Sequence, residues 1–237
     1  MSAVIEMQGI QKTYGKGDNR VSALHDVTLR VERGEFVAIL GPSGSGKTTL
    51  MNIIGLMDHA DGGEYFLDGI DIFKKKEKTF AKLRNTKIGF VFQKYNLIPQ
   101  YSALYNVALP MMLQGKSYRT AREKARETLA RVGLADRVGH KPTELSGGQL
   151  QRVAIARALV GDSSLILADE PTGALDQKTG HEVLDFMAEL NREGKTIVMI
   201  THDPNIAARA RRIVRVEDGR VLSHSDAAPT RVEQRGF

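Results

Sequence analysis

Eight consecutive residues, Gly41, Pro42, Ser43, Gly44, Ser45, Gly46, Lys47 and Thr48, have the types and spacing of a loop that wraps phosphate groups. The glycines let backbone N–H groups close on an anion. The lysine reaches the β- and γ-phosphates of a nucleotide, and the threonine hydroxyl suits Mg²⁺. The string follows the apolar run FVAIL (36–40) and runs into TTLMNIIGLM (48–57), which opens with Thr48 and Thr49 and reads as a helix whose N-terminus adds partial positive charge. A second motif answers it: LILADE (165–170) is a buried-strand pattern ending in two carboxylates. Beside a phosphate loop, Asp169 suits Mg²⁺ and Glu170 suits polarisation of an attacking water.

Three further residues stand where such chemistry would use them. His202 follows the apolar run TIVMI (196–200) and Gln93 ends IGFVFQ (88–93), so a strand terminus brings each toward the phosphate side. An imidazole there could meet a γ-phosphate, and an amide could bind Mg²⁺ or the attacking water. Tyr14 could stack on a purine or be an ordinary surface tyrosine beside a turn. A fourth stretch, Leu145, Ser146, Gly147, Gly148 and Gln149, begins a helical pattern and so supplies another anion-binding helix start, without a lysine.

The elements that must position these residues are legible in the periodicity. VTLRVE (27–32) alternates as a half-buried strand, with residues 4–8 its expected antiparallel partner. FVAIL, IGFVF, LILA and TIVMI are continuous apolar runs, as in parallel strands covered on both faces. IVRVE and RVLS flank Asp218-Gly219, a pair suited to a tight hairpin turn. Between Gln93 and Val160 the period becomes helical, with Ala121, Ala125, Leu129 and Val132 as an apolar stripe among charges, the pattern of a solvated helix. ALPMML (108–113) reads equally as core or as a docking face.

The chain has 237 residues, 41% of them hydrophobic, enough to bury a sizeable core. It contains no cysteine, which excludes disulfides and thiolate chemistry. No apolar run approaches the roughly 18 residues that cross a bilayer, and the start lacks the pattern of a signal peptide. The net charge of +6 is scattered among 28 acidic residues, so no nucleic-acid partner is expected, and Lys74, Lys75, Lys76 and Lys78 read as a solvated face.

Taken together and in order, Tyr14, GPSGSGKT, Gln93, LSGGQ, LILADE, ALD (174–176) and His202 resemble the ATP-binding-cassette ATPases over nearly the whole chain. FVFQKYNLIPQYSALYNVALPMM (90–112) and DEPTGALDQKTG (169–180) resemble the MacB-like, LolD-like and FtsE-like branch of macrolide export, lipoprotein release, antimicrobial-peptide resistance and cell division. The resemblance implies an α/β fold: a P-loop NTPase core with an N-terminal antiparallel β subdomain and an inserted helical subdomain. It implies one domain over 1–222, the helical subdomain at 93–162, with 1–92 and 163–222 forming the β subdomain and core, and 223–237 a tail.

It further implies ATP and Mg²⁺ as ligands, with Thr48, Gln93 and Asp169 around the metal. Glu170 would be general base, His202 the switch histidine, Lys47 a catalytic cation and Tyr14 the adenine platform. Asp176 would lie in the loop that meets a partner subunit. Two copies would close head to tail so that Ser146, Gly147, Gly148 and Gln149 complete the other copy's site. A separate integral-membrane permease would hold the dimer at the cytoplasmic face of the cell membrane. Two competing classes, a nucleic-acid-associated cassette and a small-molecule kinase, leave features unexplained: there is one set of motifs, and a kinase has no use for LSGGQ; a third, a regulatory cell-division-type ATPase that moves no substrate, carries the same motifs as a transport subunit.

Overall fold

A computed structural model describes residues 2–226, in which ten strands and seven α-helices alternate. The chain opens with β1 (Ala3–Tyr14), β2 (Val21–Glu32) and β3 (Phe36–Leu40), then α1 (Lys47–Ile54), β4 (Gly62–Leu67), β5 (Ile70–Asp71), α2 (Phe80–Lys87) and β6 (Ile88–Phe92). Three helices follow: α3 (Ala103–Leu113), α4 (Tyr118–Arg131) and α5 (Gly147–Leu159). The last part is β7 (Leu165–Asp169), α6 (Gln177–Arg192), β8 (Ile197–Thr201), α7 (Pro204–Ala207), β9 (Arg212–Glu217) and β10 (Arg220–Asp226). The expected tail begins inside β10, and 227–237 lie outside the described residues.

Two sheets form. The antiparallel one runs β2-β1-β4-β5, and the other β10-β9-β3-β8-β7-β6, parallel from β9 to β6. The four apolar runs are its centre, and every residue of β3 and β8 is buried. Ile5, Leu29, Leu50, Ile54, Leu167 and Val198 pack into one core between the sheets and α1, while Phe36, Ala38, Ile166 and Met199 face Leu184 and Met187 of α6 on the other side. The helical segment has its own core, in which Ala121, Ala125 and Leu129 of α4 meet Val107 of α3 and Val153 of α5. The alanine stripe is therefore a packing face. ALPMML divides: Ala108 is buried in that core, whereas Leu113 is 71% exposed. No helix of the described residues is long and apolar enough to cross a membrane.

Register decides where chemistry can occur. Leu40 pairs with Thr201, Ile200 with Asp169, and Asp169 with Phe92, so β3, β8, β7 and β6 end nearly in line. Their following residues, Gly41, His202, Glu170 and Gln93, therefore leave from one edge, where open α/β sheets bind ligands.

The helix after β3 ends sooner than its apolar pattern, at Gly55, where the absence of a Cβ lets the Phe90 ring approach to 2.9 Å of the place one would take. Its last carbonyl, Ile54 O, accepts a 2.7 Å hydrogen bond from the buried Tyr65 hydroxyl of β4. This bond ties α1 to the antiparallel sheet. Tyr65→Phe, which leaves that carbonyl unpaired, is expected to lower unfolding stability by about 1–2 kcal/mol in urea titrations. An unchanged urea midpoint would show that the hydroxyl anchors nothing.

Candidate functional site

The turn after β3 is shaped by what glycine lacks. A Cβ on Gly41 would sit 2.0 Å from the Val216 carbonyl oxygen of β9, so the chain passes only without a side chain. Gly46 takes a φ of 97° as the N-cap of α1, and a Cβ there would lie 2.7 Å from the Ala23 carbonyl oxygen. No side chain caps this helix, so its first-turn N–H groups are left for a ligand. They open on a cleft of about 590 Å³. Ser43, Gly44, Gly46, Lys47, Thr48 and Thr49 line one wall; Asp169, Glu170, Ile200 and His202 line the other. Pro42 and Ser45 shape the loop from behind: the Ser45 amide donates to Pro42 O at 3.3 Å.

Lys47 is mostly buried, with Nζ donating to Pro42 O at 2.5 Å and to Ser45 Oγ at 3.4 Å. Burial holds its ammonium below the usual lysine range, against the opposing pull of Glu170 and Asp169. Asp169 is displaced upward, first by desolvation and then by the neighbouring Glu170 charge, with Lys47 opposing. Both groups therefore hold their charge at a disadvantage.

Glu170 adopts φ 43°, a left-handed backbone that is rare for a side-chain-bearing residue. Its own amide donates to Ile200 O at 3.0 Å and its carbonyl accepts from Gly173 N–H at 3.0 Å, fixing the turn. Its Oε1 accepts from the His202 amide at 2.9 Å and lies 2.6 Å from His202 Nδ1, while Oε2 accepts from Thr201 Oγ1 at 3.1 Å. A carboxylate only accepts, so the Nδ1–H tautomer of His202 fits this contact. Carboxylate and imidazole are thereby fixed to one another.

Not every expected residue reaches the cleft. Gln93 does not line it; its Nε2 lies 2.6 Å from where a Cβ of Gly173 would be, over the loop after Glu170. Sheet order explains this. Its strand, β6, stands three places from β3, roughly 14 Å at one strand spacing per place, so the amide meets β7's loop first. Tyr14 also lies outside the lining; its ring is 40% exposed and its hydroxyl donates to Asp58 Oδ2 at 2.6 Å. Lys12, mostly buried, bridges to the same Asp58 at 2.8 Å, and this pairing draws the Asp58 carboxyl down although burial opposes it.

None of the LSGGQ residues lines this cleft. Ser146 is the N-cap of α5, its Oγ accepting from Gln149 N–H at 3.4 Å while Gln149 Oε1 accepts from Ser146 N–H at 3.0 Å. This reciprocal box leaves the Gly147 and Gly148 amides without a bonded partner among the described residues. Added Cβ atoms would lie 3.1 Å from Tyr95 Oη and 3.3 Å from Leu175 at Gly147, and 2.4 Å from Thr179 at Gly148.

Two contributors had only a turn signature in the sequence. Asp218 and Gly219, at the β9–β10 tip, line the cleft, and Gly219 N–H donates to Ser45 O at 2.9 Å while its carbonyl accepts from His25 N–H at 2.8 Å. The closing hairpin thus buttresses the phosphate loop. His25 lines the cleft as well, and nothing in its local sequence announces that.

A family model described as ABC transporter matches residues 24–173. Uncharacterized ABC transporter ATP-binding protein YvrO of Bacillus subtilis (strain 168) is 52% identical over 92% of this chain and 96% of its own. Macrolide export ATP-binding/permease protein MacB of Rhodopseudomonas palustris (strain HaA2) is 47% identical over 99% of this chain, which spans only 36% of that relative. Among solved structures, a dimeric post-hydrolysis state of the ATP-binding cassette MJ0796 bound to ADP and Pi superposes with a TM-score of 0.85 at 44% identity, covering 94% of this chain and 99% of that one.

The upward displacement of Asp169 has a sign that can be checked. A carboxyl whose folded pKa exceeds its unfolded value favours the fold while protonated, and that contribution is lost as pH rises through the folded value. Asp169→Asn is therefore expected to raise the thermal midpoint of the nucleotide-free chain at pH 7, the gain vanishing in acid where the wild type is itself protonated. A lower midpoint at pH 7 would contradict the electrostatic account.

Proposed function

The chain belongs to the ABC transporter family, and we propose that it is an ATP-hydrolysing subunit whose head-to-tail homodimer drives a separate MacB- or FtsX-like permease. Members of the family bind and hydrolyse ATP. The observation that carries the dimer is the start of α5: two glycine amides stand without a bonded partner at a helix start that does not line its own chain's cleft. A second copy supplies the missing nucleotide, and the first copy supplies the same to it, as an isologous two-fold arrangement requires.

Within each composite site, the loop amides and Lys47 hold the β- and γ-phosphates, and Thr48 and Asp169 face the metal. Among the described residues no cluster of three acidic or histidine side chains could hold an ion alone, so Mg²⁺ would take phosphate oxygens as further ligands. A bound Mg-nucleotide also meets the chemistry left open in the cleft, a desolvated cation beside a desolvated carboxylate. Glu170, oriented by His202 and Thr201, polarises a water for attack on the γ-phosphate, and Lys47 with the amides stabilises the charge that spreads over its oxygens. Tyr14 offers its exposed ring to the adenine. Gln93, which follows β6, acts across the loop after Glu170 and reports the site's state to the helical segment.

The permease would dock in a groove of about 410 Å³ between α2, β6, α3 and α5. Its lining combines apolar Phe90, Phe92, Pro110 and Leu113 with the cations of Arg84 and Arg157. Such a groove suits a short amphipathic helix. That docking would hold the dimer at the cytoplasmic face of the cell membrane.

Glu170→Gln is expected to keep ATP affinity, lower phosphate release by at least about a hundredfold as loss of a general base does, and accumulate an ATP-dependent dimer in gel filtration. Near-normal phosphate release by that variant would remove Glu170 from the role of base. Ser146→Arg should leave ATP binding by the monomer nearly intact and abolish dimerisation. A large loss of nucleotide affinity in the monomer would instead place LSGGQ on its own chain's nucleotide.

A further inference from the structure

Gln151 lies one turn inside α5 and is completely buried, yet only half of its amide is satisfied. Its Nε2 donates to Pro171 O at 2.7 Å, and its Oε1 has no partner. A second orphan stands next to the acceptor: the Thr172 hydroxyl, in a residue only 8% exposed, is also without a partner. Among the described residues one other buried side-chain atom shares this condition, Glu32 Oε2 at the end of β2. Two of the three thus flank a single junction, between α5 and the loop that begins at Glu170. An apolar side chain of similar size at either position would avoid the desolvation that an unpaired polar atom carries. Packing and the bond to Pro171 account for the Nε2 half of the amide and leave its Oε1 without a structural reason.

The junction is keyed at further points. Gly147 meets Leu175 and Gly148 meets Thr179 at distances that admit no added methyl without movement. The loop itself is short and internally bonded, Gly173 N–H to Glu170 O at 3.0 Å and Leu175 N–H to Thr172 O at 3.0 Å. A displacement of the α5 start thus reaches Pro171 without slack. Pro171 is bonded directly to Glu170, whose left-handed backbone is set by this same turn.

We infer that Gln151 is a positioning residue that transmits between the two nucleotide sites of the dimer, linking the LSGGQ start that closes on one nucleotide to the Glu170 that acts on the other. The inference rests on the head-to-tail reading above. In that dimer a chain gives LSGGQ to its partner's site and Glu170 to its own, so a bond from α5 to Pro171 connects two sites. Closure of LSGGQ moves α5 as a rod, and Gln151 draws Pro171 and the base with it. The orphan Oε1 and the Thr172 hydroxyl are acceptor and donor capacity that the shifted junction can use.

The test is steady-state hydrolysis by the full chain as a function of ATP concentration. Gln151→Met, close in volume and apolar, is expected to bring the Hill coefficient down to about 1 and to lower turnover about fivefold or more, the size of a typical inter-site coupling. ATP affinity of the monomer should stay within about twofold, and the thermal midpoint should fall only as far as the single carbonyl left unpaired, Pro171 O, accounts for. A merely structural glutamine would lower the midpoint and leave the Hill coefficient alone. Thr172→Val, nearly isosteric, is expected to give the same loss of cooperativity and carries the test should Gln151→Met not fold. Dimerisation separates the two layers: if the Glu170→Gln chain forms no ATP-dependent dimer, the head-to-tail reading falls. If it does, and Gln151→Met keeps wild-type cooperativity and turnover, the transmission role falls.

Discussion

Parallel pairing in register is the interaction on which the site depends. Inter-strand hydrogen bonds set Leu40 beside Thr201 and Ile200 beside Asp169, so the residues that follow cannot end at different heights. The phosphate loop stands more than a hundred residues before the carboxylate pair and His202 in the chain, and the ladder alone makes them neighbours. One register slip in β7 would turn Asp169 to the opposite face, since successive side chains alternate. The buried apolar side chains of β3 and β8 resist that slip, because every position is covered on both faces.

The same edge concentrates charge that the fold would not choose for stability. Lys47 is drawn down and Asp169 driven up by burial, and each opposes the other's shift only partly. The free chain therefore holds a desolvated cation and a desolvated anion whose shells are incomplete. Under the proposed function, a nucleotide with Mg²⁺ would present phosphate to the first and a cation to the second. Ligand binding and relief of this electrostatic imbalance would then be the same event, which is how a site can be preorganised at the expense of the empty state.

What was legible in the sequence were local patterns: the apolar runs, the glycine loop, the Asp218-Gly219 turn and the helix start at LSGGQ. What was not legible was adjacency between them. IGFVFQ reads as a strand ending in a glutamine whichever place it takes in the sheet, and its position at the far edge is what keeps Gln93 over Gly173 instead of in the cleft. Asp218-Gly219 announces a hairpin, but its docking on Ser45 depends on β9 lying against β3. ALPMML could not be divided by periodicity, because burial of Ala108 and exposure of Leu113 follow from where α4 and α5 pack. Pattern specifies elements, while packing order specifies which of their ends meet.

The two glycines of LSGGQ show how one residue type can answer two constraints at once. Gly148 must be small because Thr179 occupies the space of a side chain, and Gly147 because Tyr95 and Leu175 crowd it. Those contacts alone would explain both glycines as packing. They do not explain why the helix start carries a complete Ser146–Gln149 box while its first two amides remain unbonded. A start needed only for packing could end its free amides with solvent anywhere on the surface. Here they stand beside the loop that continues from Glu170, so the feature that lets α5 approach that loop closely is also the one that leaves backbone donors exposed to a ligand. Close packing on one side and open amides on the other are what the proposed head-to-tail dimer would use to join this loop to a partner's nucleotide.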